Sequence, residues 1–133
     1  MRPRFVIADD SAYSRDLIRS RLELLGCNVI GEVENALDAL KLCRELLPEA
    51  ITIDLAMPAV GGFEASEAVL QIGRELPQIA IVIETDCVDA RAGDEEAFAI
   101  AKAIIRKPIS QRGFDLIRHQ LRQLLTAPTE LDH

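Results

Sequence analysis

Tryptophan is absent from this 133-residue chain, and aromatic residues make up only 4% of it. The hydrophobic core must therefore be mainly aliphatic, and an apolar content of 49% is enough for one domain to bury such a core. Three cysteines without CxxC spacing argue against a disulfide framework and indicate reduced thiols in a cytoplasmic protein. We expect Cys27 and Cys43 in the core, whereas Cys87 stands just past a predicted strand.

Long apolar runs and excess positive charge are missing as well. No run reaches the length of a membrane span, and the N-terminal start does not have the pattern of a signal peptide, so we expect no membrane insertion. The chain has 15 Lys and Arg against 22 Asp and Glu, a net charge of −7. Such an acidic protein repels nucleic-acid phosphates, which argues against direct nucleic-acid binding.

Short apolar segments alternate with helical patterns along the whole chain. The predicted strands are residues 5–8, 28–33, 50–53, 79–84 and 103–106. The predicted helices are residues 12–25, 36–47, 63–76, 89–100 and 110–125, with N-caps at Ser11, Asn35 and Ser110. In the first helix the apolar residues that recur at helical spacing are Tyr13, Leu17, Ile18, Leu22 and Leu25. Five strands alternating with five helices predict an α/β fold, a parallel sheet covered on both faces, in one domain over residues 1–133 with a frayed tail from residue 126.

Acidic side chains stand where two of these strands end. Asp9 and Asp10 follow the first strand, and Asp54 follows the third. The carboxyl ends of parallel strands meet at one edge of a sheet, so we expect the three carboxylates to lie together. Their mutual repulsion is relieved by a hard divalent cation with oxygen ligands, such as Mg²⁺. Ser11 is expected to cap the first helix in either case, but a cap alone does not need two aspartates.

Two further strand ends carry a hydroxyl and an ammonium group. Thr85 follows the fourth strand and Lys107 the fifth, and each alone is an ordinary residue for its position. Beside Asp54 they suit a phosphoryl group, with the cation, Lys107 and Thr85 each neutralising one oxygen. Asp54 is then either a metal ligand only or the nucleophile that attacks phosphorus. A cis peptide bond at Pro108 would turn Lys107 into the site, and a trans bond is the alternative.

The ordered set of strand-end residues resembles the receiver domain of two-component response regulators, most of all the stand-alone chemotaxis-type (CheY-like) regulators. The resemblance covers about residues 4–125. The residues that carry it are Asp9-Asp10-Ser11-Ala12-Tyr13-Ser14-Arg15, Asp54-Leu55-Ala56-Met57-Pro58 followed by Gly62, Thr85, and Lys107-Pro108-Ile109. It implies a doubly wound (βα)5, flavodoxin-like three-layer sandwich with a sheet of strand order 2-1-3-4-5.

The resemblance also implies a function. Asp54 would accept a phosphoryl group from a histidine kinase or a phosphotransfer protein, and Thr85 and Lys107 would bind the phosphoryl oxygens. The ligands implied for Mg²⁺ are Asp9, Asp10, Asp54 and the backbone carbonyl of Ala56. Movement of Thr85 would change the surface of helix four, strand five and helix five, where a downstream protein docks. The protein would be a phosphoacceptor in the cytoplasm, catalysing only its own phosphorylation and dephosphorylation.

Several positions depart from the family pattern. Ile104 replaces an aromatic residue that moves with the threonine, so it predicts altered or weaker coupling to the output surface, or it simply packs between strand and helix. Asp86 replaces a small residue and would oppose anionic donors unless it points to solvent. Ala56 and Cys87 cannot orient water well, which predicts a phosphoaspartate that hydrolyses more slowly than in members with a carboxamide and a carboxylate there.

Other functions remain open at this level. The chain would be a degenerate receiver if it docks partners without being phosphorylated, or the receiver part of a longer regulator. A haloacid-dehalogenase-like phosphatase needs a second acid where Ala56 stands. A flavin-binding module needs a phosphate loop rich in hydroxyls and glycine, and Asp9-Asp10 would repel that phosphate.

Overall fold

The chain folds as parallel strands alternating with helices. The computed structural model describes residues 2–86, 94–107, 118–120 and 122–123. The strands are β1 (Arg4–Ala8), β2 (Asn28–Val33), β3 (Ala50–Asp54), β4 (Ala80–Thr85) and β5 (Ala103–Arg106). The helices are α1 (Ala12–Leu24), α2 (Ala36–Leu46), α3 (Ala65–Glu75) and α4 (Glu95–Ile100), and residues 118–120 and 122–123 are also helical. In this described part, every helix is too short or too polar to cross a membrane.

Several predictions concern residues outside the described ranges. These are the start of the fourth helix, Cys87, the Pro108 peptide bond, the Ser110 cap, most of the last helix and the tail. The remaining boundaries agree with the predictions to within two residues, except that α4 is described only from Glu95. Thr85 belongs to β4 rather than following it.

The five strands form one sheet of order β2-β1-β3-β4-β5, and every neighbouring pair is parallel. The doubly wound order 2-1-3-4-5 is therefore confirmed. β1 pairs with both β2 and β3, so the chain changes its direction of growth across the sheet there. The pairs Ala8↔Ile53 and Asp54↔Glu84 align the carboxyl ends of β1, β3 and β4 at one edge. That edge carries the predicted site residues.

Local sequence signals set the helix ends. The Ser11 hydroxyl accepts a hydrogen bond from the Ser14 N–H at 3.2 Å, and Asn35 Oδ1 accepts one from the Asp38 N–H at 2.8 Å, which confirms both N-caps. After α1, Gly26 adopts φ +86°, a left-handed conformation that costs glycine little. α3 begins two residues later than predicted because Glu64 is still extended.

Alternate residues of each strand pack on opposite faces of the sheet. The α1 face contains Phe5, Ile7, Ala50, Val82, Ala103 and Ile105 together with Ile18 and Leu22 of α1. The α2–α3 face contains Val6, Ala8, Ile51, Ile53, Ile81 and Ile83 together with residues of α2, α3 and α4. This alternation determines which strand-end side chains share a face, because successive side chains point to opposite sides.

Two details of the core test the sequence analysis. Cys27 and Cys43 are buried free thiols as predicted, and burial raises the pKa of the Cys27 thiol and raises that of Cys43 to about 12. They therefore act as packing groups, since little thiolate exists at neutral pH. Tyr13 belongs to the helical spacing of α1, but its side chain is 78% exposed and does not join the core. Tyr13 is five residues before the buried Ile18, which places it roughly 140° around the helix.

Candidate functional site

The carboxyl edge of the sheet brings a lysine and two buried aspartates together. Lys107 Nζ donates a hydrogen bond to Asp54 Oδ2 at 2.8 Å, across 53 positions of sequence. The same nitrogen lies 3.4 Å from Asp9 Oδ2, an ion pair whose geometry does not make a hydrogen bond. The amine of Lys107 thus points into the site, as the predicted chemistry requires.

Asp9 is positioned by the backbone that follows β1. Its side chain is fully buried, and Oδ1 accepts a hydrogen bond from the Ser11 N–H at 2.8 Å. Its main-chain carbonyl accepts a hydrogen bond from Arg15 Nη1 at 2.7 Å, and Arg15 pairs with Glu32 at 3.3 Å. With Oδ1 held in this way, Oδ2 is left facing Lys107. Residues 9–11 therefore have two roles: Ser11 caps α1 through its hydroxyl, and its N–H holds the Asp9 side chain in the site.

Asp54 is held at both carboxylate oxygens. Oδ1 accepts a hydrogen bond from the Ala56 N–H at 2.9 Å, and Oδ2 accepts the one from Lys107. Burial raises the pKa of Asp54, and the hydrogen bonds from Lys107 and Ala56 only partly oppose that shift. For Lys107, burial disfavours the charged form, but the hydrogen bond to Asp54 and the surrounding carboxyl groups outweigh it, so its pKa is also raised. The raised pKa of Asp54 thus reflects its burial, and the raised pKa of Lys107 reflects the carboxyl groups around it.

Asp9, Asp10 and Asp54 fit a divalent cation. One carboxylate oxygen from each lies within 4.8 Å of the other two. Asp9 and Asp54 are buried while Asp10 is exposed, so the group opens to solvent beside Asp10. A buried Asp9 Oδ2 without a hydrogen-bond partner among the described residues is the kind of atom that a cation satisfies. Mg²⁺ suits such a site, because it combines few carboxylates with retained water.

Thr85 and Ile104 lie on the other face of the sheet from Asp54. Side chains alternate along β4, so Thr85 lies on the same face as Ile81 and Ile83, which pack on the α2–α3 face. The main-chain carbonyl of Thr85 accepts a hydrogen bond from the Lys107 N–H at 2.8 Å. The pairs Ile83↔Ile104 and Thr85↔Arg106 make Thr85 and Ile104 diagonal neighbours on that face. Ile104 is 40% exposed, so it is not a buried packing residue. Asp86 is exposed too, which favours the solvent-facing alternative.

Glu84 is a buried acid at this edge that the sequence analysis did not include in the site. Its side chain is fully buried, it pairs in register with Asp54, and both carboxyl oxygens have no hydrogen-bond partner among the described residues. Burial, followed by the nearby Asp9 carboxyl group, raises the pKa of Glu84 well above its usual range. The sequence did offer a signal for this residue, because Glu84 follows a run of apolar residues in a strand that is covered on both faces. An unpaired charge is costly at such a position, so a glutamate there indicates a special environment.

Comparisons with known proteins agree with this geometry. Residues 5–126 match the family described as response regulator receiver domain. The chain is 30% identical over 108 residues to the chemotaxis protein CheY of Thermotoga maritima, covering 81% of this chain and 88% of that protein. It is 34% identical over 82 residues to the response regulator GacA of Pseudomonas aeruginosa, covering 62% of this chain and 37% of that protein. The crystal structure of the response regulator domain of Thermotoga maritima CheB matches with a TM-score of 0.76 at 25% identity, covering 97% of this chain and 100% of that chain.

The relatives differ in length. The chain spans between 22% and 37% of GacA and of two protein-glutamate methylesterase relatives, whereas it spans most of CheY. The similarity to the longer proteins is therefore a similarity to one part of them.

Proposed function

Because the chain belongs to the response regulator receiver domain family of two-component systems, we propose that it is a phosphorylation-activated signalling switch whose phosphoacceptor is Asp54. The observation that carries this proposal is the 2.8 Å hydrogen bond from Lys107 Nζ to Asp54 Oδ2, beside the cluster of three aspartates. This observation supports the proposal because a carboxylate, a group of acids suited to a cation and an ammonium group lie together at one strand edge.

Each of these side chains has a task in the proposed reaction. An Asp54 oxygen attacks the phosphorus of a phosphohistidine; an O–P bond forms, the N–P bond breaks, and its electron pair stays on the imidazole nitrogen. Lys107 moves from the Asp54 carboxylate to a phosphoryl oxygen, and the Thr85 hydroxyl binds another. Mg²⁺, held by Asp9, Asp10, Asp54 and the Ala56 carbonyl, would supply the remaining neutralisation of negative charge.

The proposed output surface includes α4 and β5, with the helix that follows β5. Thr85 and Ile104 are diagonal neighbours on adjacent strands, so a shift of Thr85 toward a phosphoryl group changes what Ile104 packs against. Ile104 is partly exposed and has no aromatic ring, so the change at the surface is smaller than a swinging ring would produce. A downstream protein that binds this surface distinguishes the two states.

The partners and setting follow from the same proposal. The phosphoryl donor is a histidine kinase or a phosphotransfer protein, and the chain does not turn over a separate substrate. The two buried free thiols, Cys27 and Cys43, support a cytoplasmic location, and the net charge of −7 does not favour nucleic acid as a direct partner. We propose one receiver domain over residues 1–133, which acts in the same way if it is joined to further domains.

The direct test uses a small phosphoryl donor. Incubation of the protein with acetyl phosphate and Mg²⁺ should add the mass of one phosphoryl group, measured on the intact protein. A chelator in place of Mg²⁺ should suppress the gain, because the oxygens of the incoming group then lack the cation. A protein that gains no mass under either condition, or gains it equally in both, contradicts the proposed mechanism.

The phosphorylated protein should lose its label slowly. Ala56 is exposed next to Asp54 and has no group to orient an attacking water molecule. We expect Ala56→Asn to shorten the lifetime of the phosphoprotein severalfold, measured by intact mass after acetyl phosphate is removed. The exposed Ala59→Asn is the matched control, and its lifetime should equal that of the unchanged chain. Rapid loss of label from the unchanged chain would show that water is oriented by another group.

A further inference from the structure

Arg15 of α1 contacts the acidic site through the backbone rather than through an acidic side chain. Its Nη1 donates a hydrogen bond of 2.7 Å to the main-chain carbonyl of Asp9, and the arginine side chain is only 14% exposed. That carbonyl belongs to the peptide group between Asp9 and Asp10, the two acids that follow β1. Arg15 therefore holds the peptide that connects two of the proposed cation ligands.

The Asp9 carbonyl lies where the strand ladder ends. The Asp9 N–H still donates a hydrogen bond to the Val33 carbonyl at 3.0 Å, but Val33 is the last residue of β2 and Ala8 is the last residue of β1. A carbonyl at this point needs a partner from outside the sheet, and the guanidinium is that partner. Asp10 is exposed, so the direction of its carboxylate follows from the peptide before it.

Two glutamates fix the guanidinium of Arg15 in turn. Nε lies 3.3 Å from Glu32 Oε1 and Nη2 lies 3.4 Å from Glu34 Oε1, so each nitrogen of the group has its own partner. Arg19, one turn further along α1, donates a hydrogen bond to the other oxygen of Glu32 at 2.9 Å. The planar fork of an arginine is suited to such a fixed position, because its donors point in set directions.

We propose that Arg15 is a positioning residue of the cation site, which orients the Asp9–Asp10 peptide and so keeps the Asp10 carboxylate near those of Asp9 and Asp54. The inference rests on the proposed function, which assigns the cation to these three acids. The charge of Arg15 and its hydrogen bond have opposite effects on cation binding. A positive charge near the site repels the cation, whereas the hydrogen bond holds the ligands in place.

Calorimetric titration of the metal-free full chain with Mg²⁺ separates these two effects. Arg15→Met removes the charge and the hydrogen-bond donors but keeps a long unbranched side chain. We expect this variant to bind Mg²⁺ about tenfold more weakly, a usual loss when a group that supports metal ligands is removed. Removal of a repelling charge without loss of positioning would make binding tighter instead. Arg15→Lys keeps the charge and one donor group, so it should recover part of the affinity.

Arg19→Met is the matched control. Arg19 is also an arginine of α1 that pairs with Glu32, so its loss removes the same charge and an ion pair with the same acid. Within the part of the chain that the structure describes, Arg19 makes no contact with the Asp9–Asp10 peptide. The Mg²⁺ affinity of this variant should stay within about twofold of that of the unchanged chain.

The dependence of phosphorylation on Mg²⁺ gives a second readout. With acetyl phosphate as donor, Arg15→Met should need about tenfold more Mg²⁺ for its half-maximal rate. Its rate at saturating Mg²⁺ should stay within about threefold of that of the unchanged chain, because the reacting groups are all present once the cation is bound. A variant that only lost folded protein would show a lower maximal rate at the same Mg²⁺ requirement.

The outcomes separate this inference from the proposed function. Weaker binding by Arg15→Met, with partial recovery in Arg15→Lys and no change in Arg19→Met, supports the inference. Equal or tighter binding by Arg15→Met overturns it, and so does an equal loss in Arg19→Met, while the three-aspartate site stands. If Arg15→Met does not fold, Arg15→Lys decides, and an affinity at or above that of the unchanged chain overturns the inference. If the unchanged chain binds no Mg²⁺, the proposed magnesium-dependent reaction fails, and the role of Arg15 fails with it.

Discussion

Asp54→Asn should abolish phosphorylation by acetyl phosphate, reducing the added mass to below about 1% of that in the unchanged chain. The carboxylate is the attacking group, and an amide oxygen at the same place is too weak a nucleophile to replace it. Asn keeps the shape of the side chain, and its Oδ1 can still accept the hydrogen bond from the Ala56 N–H. The fold should therefore survive, and intact mass after incubation with donor and Mg²⁺ measures the loss.

Asp16→Asn is the control for this substitution. Asp16 is an exposed acid on α1, so the variant changes the net charge equally and leaves the strand edge intact. It should gain the phosphoryl mass at the rate of the unchanged chain. If Asp54→Asn still gains one phosphoryl group at that rate, another residue is the acceptor, and the assignment of Asp54 is wrong.

Lys107→Ala should slow phosphorylation by about 10²- to 10³-fold while leaving cation binding intact. In the resting protein Lys107 Nζ lies 2.8 Å from Asp54 Oδ2 and 3.4 Å from Asp9 Oδ2, so its charge competes with a cation for those acids. Its removal should make Mg²⁺ bind as tightly as before or more tightly. Only the rate of phosphorylation should fall, because one hydrogen-bond donor to the oxygens of the incoming phosphoryl group is then missing.

Quenched reactions measured by intact mass provide the rate, and calorimetric titration provides the Mg²⁺ affinity. Lys102→Ala is the control, because this exposed lysine stands just before the amino end of β5, whereas the acids stand at the carboxyl ends of the strands. Lys107→Arg should recover part of the rate, since it restores the charge with a different shape. Weaker Mg²⁺ binding by Lys107→Ala would mean that the lysine organises the acidic site rather than binding the phosphoryl group.

Much of the fold could be predicted because its signals are local. Ser11 and Asn35 begin their helices through hydrogen bonds within three residues, and Gly26 follows α1 in a conformation that suits glycine. Apolar runs revealed the strands because a parallel sheet is covered on both faces. The start of α3 was predicted less exactly, because Glu64 is an extended cap residue whose N–H donates to Glu67 Oε1 at 3.4 Å.

The position of the site was also predictable, because the carboxyl ends of parallel strands must share an edge. Asp9, Asp54 and Lys107 were expected together for that reason, and the structure places them within hydrogen-bonding or ion-pairing distance. Glu84 was not expected, although it follows four apolar strand residues directly. A sequence shows that a glutamate is present, but its burial and its unpaired oxygens depend on the strands beside it.

The sequence by itself determined the order of strands and helices, the helix caps and the residue types at the strand ends, all of which depend on neighbours along the chain. Only the tertiary structure decided which faces those residues share: Asp54 and Glu84 on the α1 face, and Thr85 with Ile104 on the other. It also decided that Tyr13 is exposed. The reason is physical, because burial and charge interactions act through space between strands that are remote in sequence.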